Sequence, residues 1–324
     1  MIKLSVIVPI FKADPFIERC CRSLFGQTLE DMEFIFVDDA SPDDSMAIVK
    51  KVAAEYPNRA GQIKYLSHTP NRGVSFSRQQ GLDAATGEYV VYCDSDDWVD
   101  ADAYRKAYDI AKNRDADIVR FGYIVEYSNG NSESVGYDRE DFFNPIVFNI
   151  SPRTGSVWGG IVRRELFKEY KISFPEGINW GEDFYVCICA LLASRKTICI
   201  KECFYHYWQN GASITHNVSK DKVYELMAVC DKVEKYLKTN NFQDKYRAQL
   251  RYLQFQTKAY LLIYPETRDI AAWKRIFPEC NGCCSKMPVA SYLKACAYLI
   301  DHDFFLTARL LLAARDVVSK IVNR

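Results

Sequence analysis

The sequence predicts an α/β fold in which a doubly wound, mostly parallel sheet is followed by a C-terminal helical region. In the first third of the chain, short β-rich runs alternate with helix-like segments, which is the pattern of parallel βαβ units. From about Asp221 onward, apolar residues instead recur at spacings of three and four, as they do on one face of a helix. We therefore expect two domains, one at residues 1–218 and a helical one at residues 219–324.

The elements of the first domain follow from local patterns along the chain. The nearly continuous apolar character of Val6–Ile10 and Tyr89–Tyr92 is typical of strands covered on both faces. Ser41 is expected to cap a helix that has Pro42 in its first turn, and Gly87 to end another helix. The predicted strands are Leu4–Ile10, Glu33–Val37, Ile63–Leu66, Glu88–Cys93 and Ile118–Glu126, and predicted helices lie within Asp14–Phe25, Val74–Ala85 and Phe184–Ala193.

The overall composition indicates an ordered protein that is soluble or peripheral to a membrane. Hydrophobic residues make up 48% and charged residues 26% of the 324 residues, which suits a folded globular chain. Lys plus Arg equal Asp plus Glu at 42 each, so no net charge draws the whole molecule to nucleic acid or anionic lipid. The 12 cysteines are scattered, largely within apolar runs, which favours a reducing cytosol. The apolar start has the length of a strand and lacks a cleavage site, so we expect no signal peptide.

Polar clusters directly follow four of the predicted strands. They are Phe11–Lys12, Asp38–Asp39, Asn71–Gly73 and Asp94–Asp97. In a doubly wound sheet, ligands bind beyond the carboxyl ends of the strands, where loops and helix N-termini converge. The four separated segments are therefore expected to meet over one crevice.

The sequence Asp94-Ser95-Asp96-Asp97 is the strongest motif for chemistry. An Asp-x-Asp at a strand edge can hold Mg²⁺ or Mn²⁺, since these hard cations prefer oxygen ligands and are commonly shared with substrate phosphates. The alternative is a helix N-cap with acids that favour the helix dipole. The same alternative applies to Asp38 and Asp39, which precede a Ser-Pro pair.

Four motifs in this order resemble the family 2 glycosyltransferases, which are inverting enzymes with the GT-A fold. The resemblance covers roughly the first 110 residues closely. The motifs are Leu4-Ser5-Val6-Ile7-Val8-Pro9, Val37-Asp38-Asp39-Ala40-Ser41-Pro42-Asp43, Asn71-Arg72-Gly73-Val74-Ser75-Phe76-Ser77-Arg78 and Asp94-Ser95-Asp96-Asp97.

The resemblance implies a set of donor-binding residues for a nucleotide-sugar. Asp39, with Asp38 beside it, would accept hydrogen bonds from the base, because a carboxylate supplies the acceptor that an imino group needs. Gly73 would permit close backbone approach, and Arg78 would offset diphosphate charge unless it forms a buried structural ion pair. The remaining donor-binding predictions are Pro9, Phe11, Asn71, Asp94 and Ser95, and the predicted metal ligands are Asp94 and Asp96.

A second cluster lies further along the chain and reads Phe174-Pro175-Glu176-Gly177-Ile178-Asn179-Trp180-Gly181-Glu182-Asp183-Phe184. Within it, Gly181-Glu182-Asp183 resembles the family's Glu-Asp motif. An inverting transfer needs a carboxylate that takes the proton of the acceptor hydroxyl as its oxygen attacks the anomeric carbon. Asp183 is the expected base, and Glu182 is expected to position the acceptor or support Asp183. The alternative is that both acids merely begin the helix that follows.

Three further positions carry weaker expectations. Trp158 and Trp180 are expected on the acceptor side, where an indole can stack on a sugar ring. Gly159 and Gly160 depart from the amide and cation that the family usually has after the tryptophan. His206, in the segment that resembles the end of the family's catalytic domain, is a candidate third metal ligand, or else a packed, hydrogen-bonded core residue.

The combined expectation is a metal-dependent, inverting glycosyltransferase of the hexosyltransferase type that uses a nucleotide-sugar. By family analogy the donor is a UDP-sugar, the acceptor is a saccharide or a lipid-linked glycan, and the role is surface polysaccharide biosynthesis. The expected location is the cytoplasm, with a contact at the inner face of the membrane or a homodimer through the C-terminal helices left open. The turn after the first strand lacks the glycines of a dinucleotide site, which sets a dehydrogenase aside. A non-catalytic donor-binding or scaffold protein with the same fold remains the alternative.

Overall fold

A computed structural model describes residues 1–137, 155–209, 219–287 and 289–322 of the chain. The chain divides into two compact units, one of Met1–Asn144 with Ser151–Ser213 and one of Pro145–Ile150 with Ile214–Arg324. The predicted boundary after residue 218 stays a prediction, since residues 210–218 lie outside the described part of the chain.

The first unit is built on one mixed sheet. Among the described residues its strand order is β3-β2-β1-β4-β8-β6-β9-β5, and β7 pairs with β6. The strands are β1 Leu4–Ile10, β2 Met32–Asp38, β3 Ile63–Ser67, β4 Tyr89–Tyr92, β5 Trp98–Val99, β6 Ile118–Tyr127, β7 Ser132–Val135, β8 Gly160–Arg163 and β9 Thr197–Gln209.

The N-terminal half of the sheet is parallel, as the alternating pattern predicted. Strand β1 pairs in parallel with β2 and β4, and β2 with β3, while β6 and β9 form a further parallel pair. In the ladder between β1 and β4, the paired residues of β1 are Leu4–Ile7, so Pro9, which has no N–H to donate, lies past the end of that ladder. The predicted fold class is confirmed. The antiparallel pairings of β8 with β4 and β6, and of β5 with β9, extend the sheet beyond what was predicted.

Six helices flank the sheet in the described part of the first unit. They are α1 Ile17–Phe25, α2 Ser45–Ala54, α3 Val74–Ala84, α4 Ala103–Asn113, α5 Glu165–Glu169 and α6 Glu182–Ala193. A core of apolar side chains fills the space between sheet and helices, with the rings of Phe25 and Phe34 packed edge to face at 5.3 Å. Strand β1 is buried along its whole length, in agreement with its continuous apolar sequence.

The predicted cap of the second helix was wrong. Helix α2 begins at Ser45, three residues after Pro42. The side chain of Asp43 accepts hydrogen bonds from the backbone N–H and the hydroxyl of Ser45. The Ser41 hydroxyl donates to Asp43 and accepts the backbone N–H of Lys12, so it ties the β2 loop to the end of β1 instead of capping.

The second unit is helical, as the three-and-four spacing predicted. Its helices are α7 Lys220–Thr239, α8 Arg247–Ile263, α9 Ile270–Trp273, α10 Ser291–Asp301 and α11 Phe305–Val322. Trp273 packs edge to face on Phe255 in its core. Short 3-10 turns begin at Pro265 and Pro278, where proline suits the first turn. Within the described ranges, the helices include none whose length and apolar composition would let it cross a bilayer.

Candidate active site

The Asp39 carboxylate organises the loop that follows β3. It accepts the backbone N–H groups of Arg72 at 2.7 Å and Gly73 at 2.9 Å, and His68 Nδ1 lies 3.1 Å from it. The Asn71 side chain donates to the backbone oxygen of Asp39 at 2.9 Å. The structure therefore brings the second and third motifs together, and Asp39 is buried against this loop.

Gly73 lies at a position that a side chain would not fit. Its φ is +87°, and a Cβ there would come 2.2 Å from Asn179 Oδ1. The same oxygen accepts the backbone N–H of Ser75 at 3.4 Å, and the Ser75 hydroxyl donates to the Pro175 carbonyl at 2.7 Å. The segment before the Glu-Asp pair thus lies against the first turn of α3. Sequence reasoning gave no role to His68, which belongs to no motif, or to Asn179, which lies in the second cluster before the Glu-Asp pair.

Arg78 joins two of the acidic motifs. It is buried on α3, and its guanidinium donates to Asp94 Oδ1 at 2.8 Å and to Glu182 Oε1 through its other terminal nitrogen. The predicted alternative of a buried ion pair is therefore present, and its partners are both predicted site residues. Asp94, two residues after the end of β4, and Glu182 in the first turn of α6 therefore contact the same guanidinium.

The pair Glu182 and Asp183 begins helix α6 after Gly181, which has a left-handed conformation. Burial raises the pKa of the Glu182 carboxyl, and the neighbouring Asp183 raises it further, although Arg78 opposes the shift. Burial likewise raises the pKa of Asp183, with Asp94 adding to the effect. Perturbed carboxyls that influence one another are typical of acid–base sites, and structural ion pairs also produce them.

A network behind the Asp94–Asp97 segment fixes its backbone. The Tyr205 hydroxyl accepts the backbone N–H of Asp94 at 3.1 Å and donates to Asp97 Oδ2 at 2.6 Å. The backbone N–H of Trp208 donates to Asp97 Oδ1 at 2.8 Å. Asp97 is fully buried, and burial raises its pKa well above the ordinary value. It therefore anchors the acidic segment to β9.

Arg19 supports the same segment from α1. Its guanidinium lies 3.5 Å from the ring centre of Trp98 and 5.0 Å from that of Trp208, and it donates to the backbone oxygen of Asp96 at 3.2 Å. Cation–π contacts of this kind are worth more where water is excluded. Arg19 belongs to no sequence motif, and Tyr205 lies in the segment that resembles the end of the family's catalytic domain but was given no role there. Their contacts with the acidic segment emerge from the fold.

Asp94 and Asp96 offer the oxygen donors that a hard cation prefers. Both are partly exposed. Burial, and then the charge of Asp94, raises the pKa of Asp96 to about 6, which reflects two carboxyls held close together. Among the described residues, no three His, Cys, Asp or Glu side chains are grouped to hold a metal. Carboxylates are the ligand type that Mg²⁺ and Mn²⁺ use when they are shared with substrate phosphates.

The contacts of His206 and Trp158 differ from those that their predicted roles require. Both ring nitrogens of His206 contact carboxylates, Glu126 at 2.8 Å and Asp100 at 3.1 Å, and its ring stacks on Trp98. A ligand role would require one of these contacts to break. Trp158 is buried and stacks on Tyr205 at 4.4 Å, so its ring is a core element and not an exposed platform.

The two glycines after Trp158 have a packing explanation. A Cβ at Gly159 would come 2.8 Å from the terminal nitrogen of Arg120, and one at Gly160 would come 2.4 Å from the Val119 carbonyl. Arg120 is buried and donates to the Ser156 carbonyl at 2.9 Å. The two glycines, which replace the amide and cation of the family pattern, thus leave room for the buried Arg120 on β6.

The other predicted residues lie around the same sheet edge. Asp38 ends β2 and its carboxylate accepts the Ser41 N–H at 2.8 Å, as an ordinary turn does. Phe11 is exposed after β1, and Ser95 and Trp180 are partly exposed.

With this geometry established, comparison with known proteins gives the family. The family model for glycosyl transferase family 2 matches residues 5–171, which is more than half of the chain. The chain belongs to glycosyl transferase family 2. The match covers the four motifs apart from Leu4, continues past strand β8 and helix α5, and ends before Glu182.

Individual relatives agree with this assignment. The uncharacterised glycosyltransferase EpsJ of Bacillus subtilis is 31% identical over 229 residues, which is 65% of this chain and 62% of EpsJ. The poly(ribitol-phosphate) beta-glucosyltransferase of Bacillus spizizenii is 29% identical over 63% of this chain and 32% of its own length. The chain therefore aligns with less than two thirds of either relative.

A solved structure shows the same fold. The structure of S. aureus TarS 1–349 in complex with UDP-GlcNAc matches 97% of this chain and 92% of that chain, with a TM-score of 0.66 at 18% identity. At this identity the likeness shows the fold, and the mixed sheet with its flanking and C-terminal helices is the expected GT-A fold.

Proposed function

We propose that this chain transfers a sugar from a nucleotide-sugar to an acceptor hydroxyl with inversion at the anomeric carbon. The observation that carries the proposal is the double contact of Arg78, which holds Asp94 and Glu182 on opposite sides of one guanidinium. Two carboxylate motifs about ninety residues apart in sequence are thereby held at one site. Sugar transfer needs this proximity, because the groups that bind the donor diphosphate and the base that deprotonates the acceptor hydroxyl must act at one place.

Asp183 is the proposed general base. It would accept the proton of the acceptor hydroxyl while the oxygen attacks the anomeric carbon from the face opposite the leaving diphosphate. Its raised pKa makes it a stronger base than an exposed aspartate would be. Glu182 and Arg78 are positioning residues, because their ion pair fixes the start of α6 and with it the Asp183 backbone.

The donor would lie over the edge formed by Asp39, the Asn71–Gly73 loop and Asp94–Asp96. Asp38, Pro9, Phe11 and Ser95 border this edge and are proposed to contact the nucleotide. Asp94 and Asp96 would hold Mn²⁺ or Mg²⁺, which when bound offsets the negative charge of the departing nucleoside diphosphate.

A UDP-sugar is the proposed donor, since the structurally similar TarS binds UDP-GlcNAc. The acceptor is proposed to be a saccharide or lipid-linked glycan of a surface polymer, since one relative is a poly(ribitol-phosphate) beta-glucosyltransferase. Trp180, partly exposed beside the Glu-Asp pair, is the proposed acceptor contact. The proposed location is the cytoplasm, and the catalytic domain is proposed to span residues 1–218.

The test is a panel of nucleotide-sugars, measured for binding and for slow hydrolysis with and without Mn²⁺. We expect one UDP-sugar to bind in a Mn²⁺-dependent way and to be hydrolysed. Asp96→Ala should remove the Mn²⁺ dependence of binding, whereas Asp31→Ala, an exposed aspartate before β2, should leave it unchanged. Binding without any turnover on acceptors would favour a donor-binding protein, and no binding by any sugar nucleotide would contradict the proposal.

A further inference from the structure

Helix α11 in the second unit has an apolar face that points away from its core. Ala308 and Leu312 pack into the unit, whereas Leu306 and Leu310 are 72% and 64% exposed, and Val317 and Val318 are 59% and 58% exposed. Ala313 and Ala314 are exposed between them. A helix that is apolar on both sides normally has a partner on both, so this outer face is expected to be covered.

The charges around this face favour a negatively charged partner. Of the described outward side chains of α11, the only charged one is Arg309. Asp316, the one acidic residue in the helix sequence, is turned inward and pairs with Arg268 at 2.8 Å and Arg315 at 3.2 Å. The described outer face therefore carries no carboxylate that would repel an anionic surface.

The charge of the whole chain is unevenly divided. Residues 219–324 contain 18 Lys and Arg against 11 Asp and Glu, whereas residues 1–218 contain 24 against 31. The net charge of zero is therefore the sum of a basic C-terminal part and an acidic N-terminal part. An anionic surface would attract the part of the chain that carries the apolar face.

The size of the face argues against a second copy of the chain. A helix of 18 residues is about 27 Å long and about 10 Å wide, which gives roughly 300 Å² on one side. A stable dimer buries about 800 Å² on each partner. An interfacial helix needs only an apolar stripe that enters the boundary between headgroups and acyl chains, with basic residues nearby.

We propose that the outer face of α11 docks on an anionic lipid surface. Leu306, Leu310, Val317 and Val318 would enter the headgroup boundary, and Arg309 would contact lipid phosphates. The helix would lie parallel to the surface, because its other side packs on the unit's own core. This inference does not depend on the sugar-transfer reaction.

Vesicle flotation of the full chain tests the proposal. We expect the protein to float with vesicles made of equal parts phosphatidylcholine and phosphatidylglycerol, more than with phosphatidylcholine alone, and less at high salt. The double variant Leu306→Glu with Leu310→Glu should lower the partition coefficient at least about tenfold, because two leucines that would enter the headgroup boundary are replaced by charged side chains. Arg309→Gln should weaken binding to the mixed vesicles only.

Tyr224→Glu is the matched control, since Tyr224 is an exposed apolar residue on α7, 50% accessible, outside the face. It should bind vesicles as the wild type does. Both substituted leucines are exposed, so folding is expected to survive, and Leu306→Ser with Leu310→Ser provides a milder version. Absence of vesicle binding by the wild type, or equal binding by the double variants, would overturn the proposal. The proposal would also be overturned if sedimentation velocity showed a wild-type dimer that the leucine variants convert to monomers, with no vesicle binding.

Discussion

Replacing Arg78 by Met removes the cation that holds Asp94 and Glu182 together while keeping a side chain of similar length. The variant leaves two carboxyls without their shared partner in a buried site. Removing one partner of a buried ion pair typically costs about 3 to 5 kcal/mol. For a unit of this size each kcal/mol lowers the melting temperature by about 2 to 4 °C, so a loss of about 6 to 20 °C is expected.

The loss should depend on pH in a defined direction. Without Arg78, the pKa of Glu182 in the folded variant is expected to rise further above its unfolded value, since burial and Asp183 already raise it. Between these two pKa values the folded variant holds a proton that the unfolded chain has released, so its stability falls as pH rises. The wild type loses stability in the same way up to the raised pKa of its own Glu182, about 8. The difference from wild type should therefore stay nearly constant below about pH 7 and grow as the pH is raised from about 7 to 9.

Differential scanning fluorimetry across pH measures both effects. Arg22→Met is the matched control, because Arg22 also pairs with two carboxylates, Glu18 and Glu55, but on the surface. Exposed ion pairs contribute little, so its melting temperature should remain close to that of the wild type at every pH. Equal losses in the two variants, or a pH-independent loss in Arg78→Met, would refute the assignment of Arg78 as a buried bridge.

Three further predictions concern the donor edge and the base. Gly73→Ala should strongly weaken donor binding in a nucleotide titration, because Gly73 has a φ of +87° and the added Cβ would collide with Asn179. Gly61→Ala, where the added Cβ meets open space, should leave donor binding unchanged. Equal effects of the two substitutions would contradict this prediction. Tyr205→Phe removes the hydroxyl that links Asp94 and Asp97, and should weaken Mn²⁺-supported donor binding several-fold with near-wild-type apparent affinity for the acceptor. The rate of transfer should rise with pH through the raised pKa of Asp183 before levelling, because the base must be ionised, and a flat profile from pH 5 to 9 would rule against that role.

The sequence predicted the parts of the fold that rest on local patterns. Strands β1 to β4 and helix α3 begin and end within about two residues of their predicted limits, since their apolar runs and flanking turns are local signals. Strand β8 was not predicted because it has only four residues. Gly159 and Gly160 let the chain approach Val119 and Arg120 of β6 closely, and a contact between distant segments leaves no local pattern in the sequence. The wrong start of α2 had a similar origin, because the Ser41 hydroxyl accepts the backbone N–H of Lys12, which lies in the turn after β1.

The same division applies to the site. Motif residues such as Asp39, Asp94 and Glu182 were predicted from sequence, and the fold brings them to one edge. The residues that support them are Arg19 on α1, Tyr205 on β9 and Asn179 before α6. Tyr205 and Asn179 lie in segments that resemble the family, but the contacts of all three depend on how these elements meet in the fold. Trp158 shows the reverse case, since a tryptophan predicted to stack on a sugar stacks on Tyr205 in the core. Sequence position alone does not distinguish the two surroundings of an indole.

The measurement that most directly tests the account is transfer by Asp183→Asn, compared with binding of the same donor. The substitution keeps the size of the side chain and removes only its ability to accept the proton. Turnover with the best nucleotide-sugar should fall about 10²- to 10⁴-fold, while the donor's dissociation constant in Mn²⁺ stays within a few-fold of the wild type. Transfer at the wild-type rate, or loss of donor binding in step with turnover, would contradict the assignment of Asp183 as the base of a shared site.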